Sequence, residues 1–137
     1  MSHAQVNVVV HMVWGTRHRT PSLPPSLDLQ LEALLAALAR EAKCSLLLAG
    51  IASDHVHTLV RVGATASLAD VARRMKGGSA YALNQRAFAV RSVRWQNGYW
   101  AESVGPADIE PLVCYLRRQR AHHDDSHPAE LWQLATT

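Results

Sequence analysis

The hydrophobic pattern changes its period along the chain, and each change marks an element. Residues 5 to 15 are valine-rich and end in Trp14, the composition of a first, central strand. A basic turn, Thr16-Arg17-His18-Arg19, and a loop marked by Pro21, Pro24 and Pro25 follow it. Between Ser26 and Lys43, Leu27, Leu31, Leu34, Leu35, Leu38 and Ala42 recur at helical spacing, which predicts an amphipathic helix laid on a sheet. Residues 45 to 51 and 54 to 62 read as two strands joined tightly around Ala52 and Ser53. Ser67-Leu68-Ala69-Asp70 has the form of a capping box. It opens a second helix with Leu68, Val71, Ala72 and Met75 inward and Arg73, Arg74 and Lys76 outward, and Gly77-Gly78 is expected to loosen or end it. Residues 90 to 95 and 99 to 104 read as a strand pair across an Asn97-Gly98 turn. Asp108 is expected to cap a last helix reaching about His122, with Ile109, Leu112, Val113 and Leu116 as its buried stripe.

This order of elements predicts an α+β, ferredoxin-like or RRM-like sandwich: an antiparallel sheet of four to five strands with the helices packed on one face. At 137 residues and 48% hydrophobic content the chain supports a core without staples, read as one domain over residues 1 to 123 and a C-terminal tail over 124 to 137. The net charge of +3 is carried by clustered bases: Arg17 and Arg19; Arg73, Arg74 and Lys76; Arg117, Arg118 and Arg120. That is the mild footprint of a polyanion binder, and the first two clusters are either candidate contacts to a nucleic-acid backbone or solvated helix and loop charges. Two distant cysteines, Cys44 and Cys114, indicate neither a disulfide framework nor a Cys-x-x-Cys zinc site, which fits a reducing, cytoplasmic setting. The start reads as no signal peptide and no apolar run approaches spanning length, so no membrane partner is expected.

The chemistry concentrates at two places. In Asp54-His55-Val56-His57, a strand sends residues i and i+2 to one face, so both imidazoles converge as a metal half-site. On the last helix Tyr115 and Gln119 are four apart and share a face, a phenolic nucleophile beside a neutral oxygen ligand. Together they suggest metal-assisted attack of a tyrosine on a phosphate. Each half also has a plain reading, as hydrogen-bonded histidines and as an edge-packed tyrosine beside a solvated glutamine. Tyr81 and Tyr99 lack a ligand one turn onward and rank behind Tyr115. His11 and Asp54 are candidates to orient the ligands; equally, His11 is a satisfied core histidine and Asp54 a strand start, and strand parity would aim Asp54 away from the imidazoles. Trp14, Trp95 and Trp100 are candidates for stacking on bases or for the core. The histidines and aspartates between His122 and His127 read as an exposed tail and not as the metal site.

These residues resemble a known family, the single-tyrosine transposases of the HUH superfamily, of the IS-two-hundred insertion-sequence type, and their domesticated relatives. The resemblance runs through most of the chain. It takes in His11-Met12-Val13-Trp14 with Thr16-Arg17, Asp54 to His57, Leu68 through Lys76 with Ser79, Trp95-Gln96-x-Gly98-Tyr99, Ser103-Val104, Tyr115-x-x-x-Gln119 and the trailing His122-His123. Ser53 departs from the proline usual before the Asp-His pair. The resemblance implies that His55, His57 and Gln119 hold one divalent cation, Mg²⁺ or Mn²⁺, while Tyr115 attacks a scissile phosphate. The products would be a 5′-phosphotyrosine and a free 3′-hydroxyl on single-stranded DNA bearing hairpins. It also implies a homodimer in which the tyrosine helix of one subunit can complete the site of the other. Two imidazoles suit a transition metal, so Mn²⁺ is expected to bind at least as well as Mg²⁺. Two rivals stand beside this reading. One is a retired module that binds single-stranded nucleic acid without cutting; the other is a metal-dependent hydrolase using water, for which carboxylates look sparse near both motifs.

Overall fold

A computed structural model describes residues 4–85 and 92–118. Its elements are β1 (Val8–Gly15), α1 (Asp28–Glu41), β2 (Ser45–Ile51), β3 (His55–Val62), α2 (Leu68–Asn84), β4 (Trp100–Ser103) and α3 (Pro106–Arg117), with single 3-10 turns at Arg17–Arg19 and Pro25–Leu27. The strands form one antiparallel sheet in the order β2-β3-β1-β4, the ferredoxin-like arrangement of an α+β sandwich. Gln119, His122, His123, the 124–137 tail and residues 90 and 91 of the expected extra strand lie outside the described residues.

Alternation along the two central strands sorts their side chains between faces. Val10, Met12 and Trp14 of β1 and Val56, Val60 and Val62 of β3 pack into one core with Leu31, Leu35 and Ala39 of α1 and Val71, Ala72 and Met75 of α2. Val9 of β1 and Leu59 of β3 instead join Leu116 of α3, flanked by Ile109, Leu112, Val113 and Tyr115. The helices therefore divide, two on one face and α3 on the other, where a single covering face was expected. The reason lies in β1 and β3 themselves, which are buried on both sides: His11, Val13, His57 and Leu59 are all at most 2% exposed. A sheet face with such strands needs a cover of its own.

Three local expectations are corrected. Gly77-Gly78 does not end α2, which runs on to Asn84. Gly78 is instead the place where α2 meets α1, since a Cβ there would fall on Leu38 Cδ2, whereas one at Gly77 would meet nothing within 4 Å. Residues 92 to 95 do not pair with 99 to 104 as a hairpin. β4 pairs with β1, and Trp95 makes only an isolated bridge to Thr16. The Asn97-Gly98 turn does carry positive φ, +80° at Gly98, and Lys76 Nζ holds it by donating to the carbonyls of Gln96 and Gly98 at 2.8 and 2.6 Å. Asp108 lies inside the first turn of α3, where it favours the helix dipole, while Gly105 occupies the cap position and Pro106 opens the helix. The start of α2 follows the sequence reading, with Ser67 Oγ accepting from Asp70 N at 3.0 Å.

Candidate active site at the histidine face of the sheet

β1 and β3 build the site between them. Their register sets Gly15 opposite His55, Val13 opposite His57 and His11 opposite Leu59, so His11 is the diagonal neighbour of His57 on the same face. The diagonal is closed by a hydrogen bond: His11 Nε2 and His57 Nδ1 are 2.8 Å apart, with the rings stacked at a 5.0 Å centroid separation. The His55 and His57 rings meet edge to face at 5.2 Å. From the covering helix, the Tyr115 ring stands against His57 of its own chain at 6.2 Å, again edge to face. Trp100 of β4 packs edge-on against His11 at 5.2 Å.

Asp54 belongs to this cluster, against the expectation from strand parity. It precedes β3, so the alternation that governs 55 to 62 does not apply to it, and its Oδ1 accepts from His55 Nδ1 at 2.8 Å. Its other oxygen accepts from Arg19 Nε at 3.1 Å. Burial alone would raise the Asp54 carboxyl, but the hydrogen bonds from His55 and Arg19 and the charge of Arg19 outweigh it and hold the group below its usual 3.8. A carboxylate only accepts, so His55 Nδ1 carries a proton and Nε2 is the lone-pair nitrogen of the neutral ring. The bond to His11 likewise engages His57 through its Nδ1. Two neutral imidazoles so braced are a fitting donor pair for a divalent cation. Among the described residues no group of three or more His, Cys, Asp and Glu side chains is placed to hold a metal ion, so the pair needs a further ligand from elsewhere.

Gly15 allows the site to close. A Cβ on it would stand 2.7 Å from Gln96 Oε1 and 3.4 Å from both Arg19 Cδ and the Asp54 carbonyl oxygen. The Gln96 amide donates to the Gly15 carbonyl at 2.9 Å, drawing residues 94 to 96 against the end of β1. Beside Tyr115 lies an open cavity of about 410 Å³ whose lining includes His11, Trp100, Glu102, Asp108, Leu112 and Tyr115. A larger cavity, about 490 Å³ between α1, β2 and the end of α3, contains none of the histidines.

Residues 4–119 match the family described as "Transposase IS200 like". The chain belongs to that family. Solved structures agree on the fold. A protein of Deinococcus radiodurans R1 assigned as a transposase superposes with a TM-score of 0.67 at 19% identity, over 89% of this chain and 98% of that one. A REP-associated tyrosine transposase bound to a REP hairpin superposes with a TM-score of 0.63 at 14% identity, over 86% of this chain and 72% of that one. No curated protein matches the chain. Among the described residues, no helix of the transposase is long and apolar enough to cross a membrane.

The basic residues of this IS200-like transposase do not form one group. Arg73 and Arg74 lie on α2, beneath the opposite face of the sheet, and both bond Asp70, at 2.6 and 3.0 Å. Lys76 is half-buried against the 96–98 turn, and that burial lowers its pKa. Arg19 braces Asp54, while Arg17 is exposed. Glu102, Asp108 and Arg94 escaped the sequence reading as site residues. The carboxylates that looked sparse near the tyrosine are supplied by β4 and the first turn of α3, and no spacing within either segment announces them. The neighbouring Trp14 and Trp95 serve the α1/α2 core, where their rings meet edge-on at 5.9 Å.

Proposed function

We propose that this transposase is a metal-dependent single-stranded DNA endonuclease and strand transferase with Tyr115 as its nucleophile. The observation that carries the reading is the meeting of the Tyr115 ring with His57, on the sheet face where His55 is braced by Asp54 and His57 by His11. His55, His57 and Gln119 would hold the cation, Mg²⁺ or Mn²⁺. When bound, it supplies Lewis-acid stabilisation of the charge on the scissile phosphate.

The chain's own groups do the rest. Tyr115 Oη forms a bond to phosphorus and gives up its proton, the bond from phosphorus to the 3′ oxygen breaks, and that oxygen leaves as a 3′-hydroxyl after gaining a proton. The 5′ end remains on Tyr115 as a phosphodiester. A 3′-hydroxyl can therefore reverse the step and join strands without a nucleotide cofactor. Asp54 fixes the ring orientation of His55, and His11 that of His57, through their Nδ1 atoms. The cavity beside Tyr115 offers Trp100 as an aromatic wall for a base next to the scissile phosphate. The REP hairpin on the structural neighbour supports hairpin-bearing single-stranded DNA as the partner. A homodimer would give the two centres that handling two DNA ends requires.

Incubation with a hairpin-bearing oligonucleotide and Mn²⁺ tests the reading. A covalent protein–DNA adduct is expected from the native chain and none from Tyr115→Phe. Cleavage that survives Tyr115→Phe would mean water is the nucleophile. Tight binding with no adduct from the native protein would mean a binding module. Either result overturns the proposal.

A further inference from the structure

At the end of the sheet nearest His55, an open pocket of about 360 Å³ is lined by Arg17, His18, Thr20, Ser22, Ser92 and Arg94. Among the described residues, every side chain lining it is basic or a hydroxyl, and none is a carboxylate. Arg17 and Arg94 are both exposed, and among the described residues neither guanidinium stands in an ion pair. This separates them from Arg19, Arg73 and Arg74, each of which has a carboxylate partner. Two arginines that line one pocket with no acid among the described residues beside them make it matched to a ligand that carries negative charge.

The pocket is also built. Arg17 N donates to the Arg94 carbonyl at 2.8 Å, which fixes the two segments to each other. His18 and Arg19 both hold left-handed backbone, φ 58° and 54°, unusual for side-chain-bearing residues. Thr16 Oγ1 donates to the Thr20 carbonyl at 2.7 Å and Thr20 Oγ1 to the Arg17 carbonyl at 3.0 Å, and these bonds retain the strained turn. Strain kept in this way is characteristic of ligand clamps. The same turn sends Arg19 to Asp54, and through it to His55, so the pocket and the histidine centre share one rigid piece of backbone.

We propose that this pocket is a second DNA contact, distinct from the histidine–tyrosine centre, in which Arg17 and Arg94 clamp a backbone phosphate of the single-stranded substrate. The proposal rests on the reading that the substrate is a DNA strand, but not on Tyr115 chemistry. It places the strand over the end of β1 and sets its register against the scissile phosphate.

The test is a binding titration across a range of salt in the Tyr115→Phe background, using hairpin-bearing single-stranded oligonucleotides of two unrelated sequences. Arg17→Ala and Arg94→Ala are each expected to weaken binding to both sequences and to reduce the slope of log K against log salt by about 0.7. Arg94→Lys should keep most of the slope, because it keeps the charge. Arg73→Ala, already paired with Asp70, should change it less than either pocket variant. Circular dichroism melts confirm that each variant is folded. Unchanged slope and affinity in both alanine variants would overturn the proposal. So would a loss confined to one sequence at constant slope, which is the mark of base readout. Because cleavage is not measured, a failure of the nuclease reading leaves this result intact.

Discussion

The two faces of one sheet do opposite work with alternate residues of the same strands. Toward α1 and α2, β1 and β3 present Val10, Met12, Trp14, Val56 and Val60, an apolar layer satisfied by packing alone. Toward α3 the next residues along include His11, His55 and His57, each at most 7% exposed and held by hydrogen bonds to one another or to Asp54. Burying three imidazoles earns little stability compared with burying three aliphatic chains, because each polar nitrogen needs a partner in place of water. The histidine face is therefore where folding accepts a lesser gain, and that is reason to look for chemistry there.

Paired substitutions on the two faces should separate the roles most widely. Removing a ligand with His55→Ala is expected to lower adduct formation by more than about 10²-fold, beyond the loss typical of a ligand's supporting partner, while leaving the melting profile close to native. Met12→Ala, one residue from His11 but facing the other core, should cost about 2–5 kcal/mol in denaturant unfolding and leave the activity of the folded fraction unchanged. If Met12→Ala removed activity without destabilising, the division between faces would be wrong.

The brace between Asp54 and His55 gives the next effect in size. Asp54→Asn should reduce metal-dependent adduct formation by about 10- to 100-fold through the orientation and protonation of His55, with DNA affinity in the absence of metal little changed. The carboxyl has a folded pKa below its ordinary 3.8, so its contribution to stability is present above that value and is lost as pH falls through the lower folded one. Stability curves of the native and Asp54→Asn proteins should therefore run parallel from neutral pH down to the ordinary carboxyl range and converge only in stronger acid. Convergence already near neutrality would show that Asp54 is not held as a carboxylate.

The smallest effect sharpens the α1/α2 side alone. Gly77→Ala, with open space around the new Cβ, should raise stability by about 0.5–1 kcal/mol from the helix interior. Gly78→Ala should show none of that gain, since its Cβ falls on Leu38. Thermal unfolding of the two variants distinguishes them, and adduct formation should change in neither.

Much of the fold was legible because it rests on periodicity. The strand at 45–51, the strand carrying the histidines and the leucine-striped helix came directly from spacing that water and apolar burial enforce. Gly77-Gly78 carries no local sign that α1 crosses at that point: glycine as a helix breaker and glycine as a contact surface look alike in one dimension. The pairing of residues 92 to 104 is not legible locally, because a hairpin turn signal describes the turn and not the partner of the strands beside it. The aim of Asp54 is hidden for a related reason, since it lies one residue outside the strand whose parity would set it.

The order of residues by itself determined that His55 and His57 share a face, that Tyr115 flanks the apolar stripe of its helix, and that the chain makes an antiparallel α+β sandwich, because those follow from the 2.0 and 3.6 residue repeats of the backbone. Only the tertiary structure decided that α3 covers the histidine face, that His11 and Asp54 engage the two Nδ1 atoms, and that Arg17 and Arg94 line one pocket. Apart from the bond between the neighbours Asp54 and His55, those are contacts between segments separated by tens of residues. They are set by sheet register and by which faces must be buried, quantities that no local repeat encodes.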